Sequence, residues 1–226
     1  MTVIVFDLDD TLYSEISFVR SGFQAVATYL EENFKVDKLE AFDHMWTILQ
    51  LEGRGAVFNS VLQRYGIACT QRNIRKCLSV YRLHNPDIKL LPDANLVLDS
   101  LNAEGYPIYI VTDGNKVVQH RKIAALGLYP RIQKAFITYR YGRHHSKPSP
   151  HCFIKIAQME HVPPSEIVYI GDNPHKDFVG IKPLGFRTIQ IKRGPFSELQ
   201  KTPEYHADMY VDNLEELLPI IKSWKV

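Results

Sequence analysis

The sequence predicts an α/β fold: a doubly wound parallel sheet with an all-helical domain inserted after its first strand. Three observations predict it. From residue 90 onward, short Val- and Ile-rich runs alternate with amphipathic helical stretches, the pattern of parallel strands covered on both faces. Between residues 15 and 88 only helical periodicity occurs. The first apolar run, Val3-Ile4-Val5-Phe6, leads straight into Asp7-Leu8-Asp9-Asp10, three carboxylates within four positions. Burying several carboxylates without a counter-charge is costly, and strand ends of such sheets open onto a ligand crevice. A mouth holding a divalent cation and an anionic ligand accounts for them. A solvated acidic turn is the alternative at this point.

The elements follow in order. After Tyr13 the period changes to helical, with Ile16, Val19, Phe23, Val26, Ala27, Leu30 and Phe34 forming one apolar stripe. Leu39, Phe42, Met45, Trp46 and Leu49 predict a second helix, and Val57, Val61, Leu62 and Tyr65 a third that stops at Gly66. Ile74, Cys77, Leu78 and Tyr81 predict a fourth. Residues 92–102 read as a helix, 108–111 as a strand, 116–126 as a helix ending at Gly127, and 135–138 as a third strand. A helix over 151–159, strands at 167–170 and 188–191, and a last helix complete the pattern. Asp212-Asn213-Leu214-Glu215 resembles a capping box opening that helix, with Leu214, Leu217, Leu218 and Ile221 inward. Residues 1–14 with 89–226 are thus expected to form the α/β domain, and 15–88 the helical one.

Composition narrows the function. At 226 residues, 45% hydrophobic and 23% charged, the chain is ordinary for a globular protein with a sizeable core. No basic leader precedes the first strand and no run reaches the roughly 18 apolar residues of a membrane helix, so a cytoplasmic protein without a membrane partner is expected. Cys69, Cys77 and Cys152 lack CxxC spacing, which argues against a disulfide framework or zinc site. Net charge is +2, but no acidic residue falls between Gly114 and Met159, a window holding nine of the 27 basic residues. Such a segment suits an anionic ligand or a solvated basic face. No nucleic-acid motif accompanies it, so a nucleic-acid partner is not expected.

Each strand is followed by a different polar group. Thr112-Asp113-Gly114 opens a helix whose N-terminus is a natural phosphate seat. Ser146-Lys147-Pro148 follows the third strand, with Pro148 and Pro150 helping to start the next helix. Gly171-Asp172-Asn173-Pro174-His175-Lys176-Asp177 follows the fourth and brings two more acids to the same edge. Hard carboxylate oxygens with few other donors suit Mg²⁺ bridging to a phosphate.

Asp7-x-Asp9-x-Thr11, Thr112, Lys147-Pro148 and Gly171-Asp172-x4-Asp177, in this order, resemble the four motifs of the haloacid dehalogenase superfamily. The resemblance covers the whole chain, because the helical insert is similar to that family's C1-type cap. A carboxylate at Asp9 is what the phosphatase branch carries and dehalogenases lack. The resemblance implies a Mg²⁺-dependent phosphatase of a small phosphomonoester. Asp7 would be the nucleophile that forms an aspartyl-phosphate, and Asp9 the general acid and base. Thr112 and the adjacent amides at Asp113 and Gly114 would hold phosphoryl oxygens, and Lys147 would offset charge. Mg²⁺ would take Asp7, the Asp9 carbonyl and Asp172, supported by Asp177.

Asp113 departs from the asparagine often found after the motif-two threonine; its side chain is expected to point away from phosphate. Arg54, flanked by Gly53 and Gly55, is either a surface turn or a substrate contact from the helical domain. His144, His145 and His175 have either a surface role or a leaving-group contact. A sugar-phosphate mutase and a phospho-accepting regulatory module remain the alternatives to hydrolysis. The expected partner is a small phosphorylated metabolite, and the chain a monomer or homodimer.

Overall fold

A computed structural model describes residues 1–199 and 201–224. The chain divides into two compact units, Met1–Glu15 with Lys89–Val226, and Ile16–Ile88.

In the first unit, six strands form one parallel sheet in the order β3-β2-β1-β4-β5-β6. They are β1 (Val3–Phe6), β2 (Ile108–Thr112), β3 (Lys134–Ile137), β4 (Ile167–Gly171), β5 (Arg187–Ile191) and β6 (Met209–Val211). Every residue of β1, β2 and β4 is buried. Val, Ile and Phe side chains suit this setting, each contributing about 1.5–3 kcal/mol on full burial. Strand order reverses between β1 and β4, and such a switch point opens the crevice beyond the strands' carboxyl ends. Phe6 pairs with Ile170, so Asp7 and Asp172 leave adjacent strands nearly level.

Strand β6 was not expected. It is three residues long, Met209 and Tyr210 are exposed, and only Val211 is buried, so no apolar run marks it. Strand β3 ends one residue before its expected limit, because Thr138 begins a 3₁₀ turn. The capping box is shifted by one: the Asn213 side chain accepts from the Glu215 amide, and Glu216 reaches back to the Asn213 amide.

The loop after β1 is pinned from elsewhere in this unit. Asp93, in the first turn of helix α5 (Pro92–Ala103), accepts from both Arg193 amines and from the Leu214 amide at 3.0 Å. Arg193 in turn donates to the Thr11 carbonyl at 3.2 Å. These contacts tie the acidic loop to the ends of β5 and α5.

The second unit is helical: α1 (Glu15–Phe34), which begins at the first unit's last residue before the insert, α2 (Lys38–Glu52), α3 (Val57–Arg64) and α4 (Gln71–Leu83). Asp37 and Thr70 cap α2 and α4, each accepting from an amide three residues on. Val19, Phe23, Val26, Leu30, Met45, Val61, Leu62 and Cys77 form the core. Ile16, Phe34 and Leu39, placed on the apolar stripes by spacing alone, are instead exposed, because each lies at a helix end beyond the packed turns. Gly66 at φ +64° turns the chain out of α3, its amide returning to the Gln63 carbonyl at 3.0 Å. No helix among the described residues is long and apolar enough to cross a membrane.

Candidate active site

Three carboxylates meet at the switch point. Asp7, Asp172 and Asp177 each offer an oxygen, and these oxygens all lie within 4.8 Å of one another. All three residues are at least 97% buried. Lys147 enters from the loop before helix α7 (His151–Glu160), with Nζ 3.0 Å from Asp7 Oδ1 and 2.7 Å from Asp177 Oδ1. The same ammonium donates to the Tyr169 hydroxyl at 2.9 Å, which donates to Asp177 Oδ1 at 3.1 Å. Three acceptors thus match the three ammonium protons. Asp177 also accepts from the Asn173 amide at 2.9 Å. Asp172 differs: among the described residues, none donates to its carboxylate.

Asp9 belongs to a neighbouring network. Lys122 Nζ lies 2.6 Å from Asp9 Oδ1, Gln119 Nε2 donates to Asp9 Oδ2 at 2.8 Å, and the Tyr13 hydroxyl also donates to Oδ1. Gln119 and Lys122 lie three residues apart on helix α6 (Lys116–Ala125), hence on one face, and that face is buried. Gln119 Nε2 reaches Thr112 Oγ1 as well, at 2.7 Å, joining the ends of β1 and β2.

The amides at the start of α6 are in part taken up by the protein itself. Asn115 caps that helix with its own side chain, accepting from the amides of Val117 at 3.0 Å and Val118 at 3.3 Å. Those donors are already engaged, so the earlier amides around Gly114 are the ones left to a ligand. Asp113 Oδ1 accepts from Thr138 Oγ1 at 2.7 Å and from the Lys147 amide at 3.1 Å, and its Oδ2 lies 3.5 Å from Lys176 Nζ. Its carboxylate therefore holds together the loops after β2, β3 and β4.

The electrostatics follow from burial. Desolvation pushes the Asp7 carboxyl up to about 6, against the pull of Lys147 beside it. Desolvation, then the charges of Asp7 and Asp177, push Asp172 to about 9. Burial opposes charge on Lys147 too, but Asp177 and Asp7 hold its ammonium well above the usual lysine range. Burial would also raise Asp9, yet the charge and hydrogen bond of Lys122, with Tyr13 and Gln119, hold it below the usual carboxylate range.

The family model for haloacid dehalogenase-like hydrolases matches residues 1–185. The chain belongs to this hydrolase family. Among its relatives, a glyceraldehyde 3-phosphate phosphatase of Pyrococcus furiosus is 28% identical, over 97% of this chain and 92% of that one. A phosphoserine phosphatase of Thermus thermophilus is 25% identical, over 96% and 98%. Among solved structures, a HAD-hydrolase from Bacillus subtilis bound to magnesium superposes with a TM-score of 0.64 at 20% identity, over 97% of this chain and 98% of that one. At that identity the likeness concerns the fold.

In this hydrolase, Lys122, Gln119, Tyr13 and Tyr169 contact the candidate site residues, and reading the sequence did not single them out. Signals existed for three of them. Gln119 and Lys122 occupy an inward face of the helix that follows Thr112, and Tyr169 interrupts an otherwise aliphatic strand with a polar tip. Other cations of the acid-free window serve elsewhere: Arg131 pairs with Asp99 at 2.6 Å, and Lys155 stacks over Tyr141. His175 packs edge-on against Phe196, and His145 stacks on His151 while meeting His144 at a tilt. Arg54 belongs to the helical unit and is exposed between α2 and α3.

Proposed function

We propose that this hydrolase is a Mg²⁺-dependent phosphatase of a small phosphomonoester, working through a phosphorylated Asp7. The observation that carries the reading is Asp172, a buried carboxylate without a protein donor among the described residues, grouped with Asp7 and Asp177 around one lysine. Three acids against one cation require either bound protons or a second cation, and a hard divalent ion fits that donor set. Asp7, Asp172 and the Asp9 carbonyl would hold Mg²⁺, with Asp177 supporting through Lys147 and the Asn173 amide. When bound, the ion neutralises the acids and the phosphoryl oxygens, which lets an anion approach an anion.

The chemistry of the protein's own residues runs in two halves. An Asp7 oxygen attacks phosphorus, the bond to the leaving oxygen breaks, and Asp9 gives that oxygen a proton. Asp9 then takes a proton from water as the water oxygen attacks phosphorus, releasing inorganic phosphate and free Asp7. Asp9 ends the second half carrying the proton that the next first half gives up, and Lys122, Gln119 and Tyr13 hold it in place between the two. Thr112 and the amides near Gly114 hold phosphoryl oxygens. Lys147, with three protein acceptors, acts on Asp7 and the phosphoryl group through charge. The helical unit would supply substrate contacts, with Arg54 as the candidate.

The two relatives' names describe three-carbon primary phosphate esters, which supports a substrate of that size. Phosphate release from a panel of phosphomonoesters, with and without Mg²⁺, tests the function. Metal-dependent turnover of short-chain esters that Asp7→Asn abolishes is expected; release unchanged in Asp7→Asn would sink the assignment.

A further inference from the structure

We propose that Gln119 is a positioning residue that fixes the direction of the Thr112 hydroxyl, so that this hydroxyl can only donate to a bound phosphoryl oxygen. The inference rests on the phosphatase reading and deepens it. Gln119 is 98% buried, and its Nε2 lies 2.8 Å from Asp9 Oδ2 and 2.7 Å from Thr112 Oγ1. Asp9 is held by the ammonium of Lys122 at 2.6 Å and by the Tyr13 hydroxyl, and its carboxylate accepts only. The amide must therefore face it with nitrogen rather than oxygen. Both protons of that nitrogen are then directed, one to Asp9 and one to Thr112.

The consequence falls on Thr112. An amide nitrogen has no lone pair to offer, so the contact forces Thr112 Oγ1 to accept. The threonine proton is left over, and among the described residues no side chain or carbonyl receives it. Thr112 is 99% buried at the end of β2, where a freely rotating hydroxyl would otherwise satisfy itself on whichever neighbour was nearest. Gln119 removes that choice before substrate arrives, as a preorganised donor requires. It also ties the phosphate-holding residue to the acid–base residue through one nitrogen.

The test is a double-mutant cycle of Gln119→Leu with Thr112→Val, read by the competitive inhibition constant of inorganic phosphate and by kcat and KM on a short-chain phosphomonoester. Loss of one such bond weakens phosphate about tenfold in each single variant. In the Thr112→Val background, Gln119→Leu should change the phosphate constant by less than about twofold, because no hydroxyl remains to direct. Gln119→Met repeats the test with an unbranched side chain should Leu lower the melting temperature. Equal weakening in both backgrounds, or an unchanged constant in Gln119→Leu alone, overturns the inference. A parent that hydrolyses no phosphomonoester overturns the function and this inference with it; an active parent with an additive cycle overturns this inference alone.

Discussion

Lys147 Nζ stands 3.0 Å from Asp7 Oδ1, and both side chains are buried at the carboxyl end of the central strands. The pair is separated by 140 positions in the chain. It makes the lysine structural as well as chemical, since the same ammonium also joins Asp177 at 2.7 Å.

Removing that cation leaves two buried acids facing each other. Lys147→Met should lower stability by about 3–5 kcal/mol in metal-free buffer, the range for breaking a buried ion pair from one side. Urea unfolding in chelator measures it. A loss under about 1 kcal/mol would count against Lys147 as a stabilising partner of the two acids.

Asp9 predicts a dependence on the leaving group. Asp9→Asn should lower turnover of an alkyl phosphate by about 10²–10⁴, the range for a positioned acid–base group. A nitrophenyl ester, whose leaving group needs no proton, should lose markedly less in its first half-reaction. Burst kinetics on both esters decide the point, and identical losses would count against Asp9 as the acid.

Metal and pH are linked through Asp7 and Asp172. Their carboxyls stand at about 6 and about 9 in the folded protein, against 3.8 for an ordinary aspartate. A raised folded value means that the native state binds more protons than the unfolded chain. Stability from this source is complete below the ordinary value and is lost as pH rises through the folded ones. The melting temperature of the metal-free protein should therefore fall between about pH 4 and pH 9. A divalent cation bound there would replace those protons, so Mg²⁺ should raise the melting temperature more at pH 8 than at pH 5. An equal gain at both would place the ion elsewhere.

Arg54 tests whether the helical unit contributes to specificity. Arg54→Ala should raise KM for a preferred short-chain ester by about tenfold, the range for one charge-assisted contact, while leaving a generic aryl phosphate nearly unchanged. Steady-state kinetics on both substrates measure the split. Equal shifts would make the arginine a structural part of its turn.

The sequence carries on its own the strand-end residues and the order of elements that brings them to one edge. Period two against period 3.6, and acids placed directly after apolar runs, are local signals that survive without coordinates. It did not disclose β6, whose exposed Met209 and Tyr210 leave no buried run to read. Nor did it disclose what Asn115 does to the first amides of α6, because a capping side chain and a ligand compete for the same donors. Which polar groups are partnered emerges from the packing of the folded chain. Gln119 meets Asp9 across 110 positions and Lys147 meets Tyr169 across 22, and such pairings depend on how helix and strand faces dock rather than on any spacing within them. Residue types at the strand ends set what chemistry is available, whereas burial and the direction of each hydrogen bond set which atom is left to perform it.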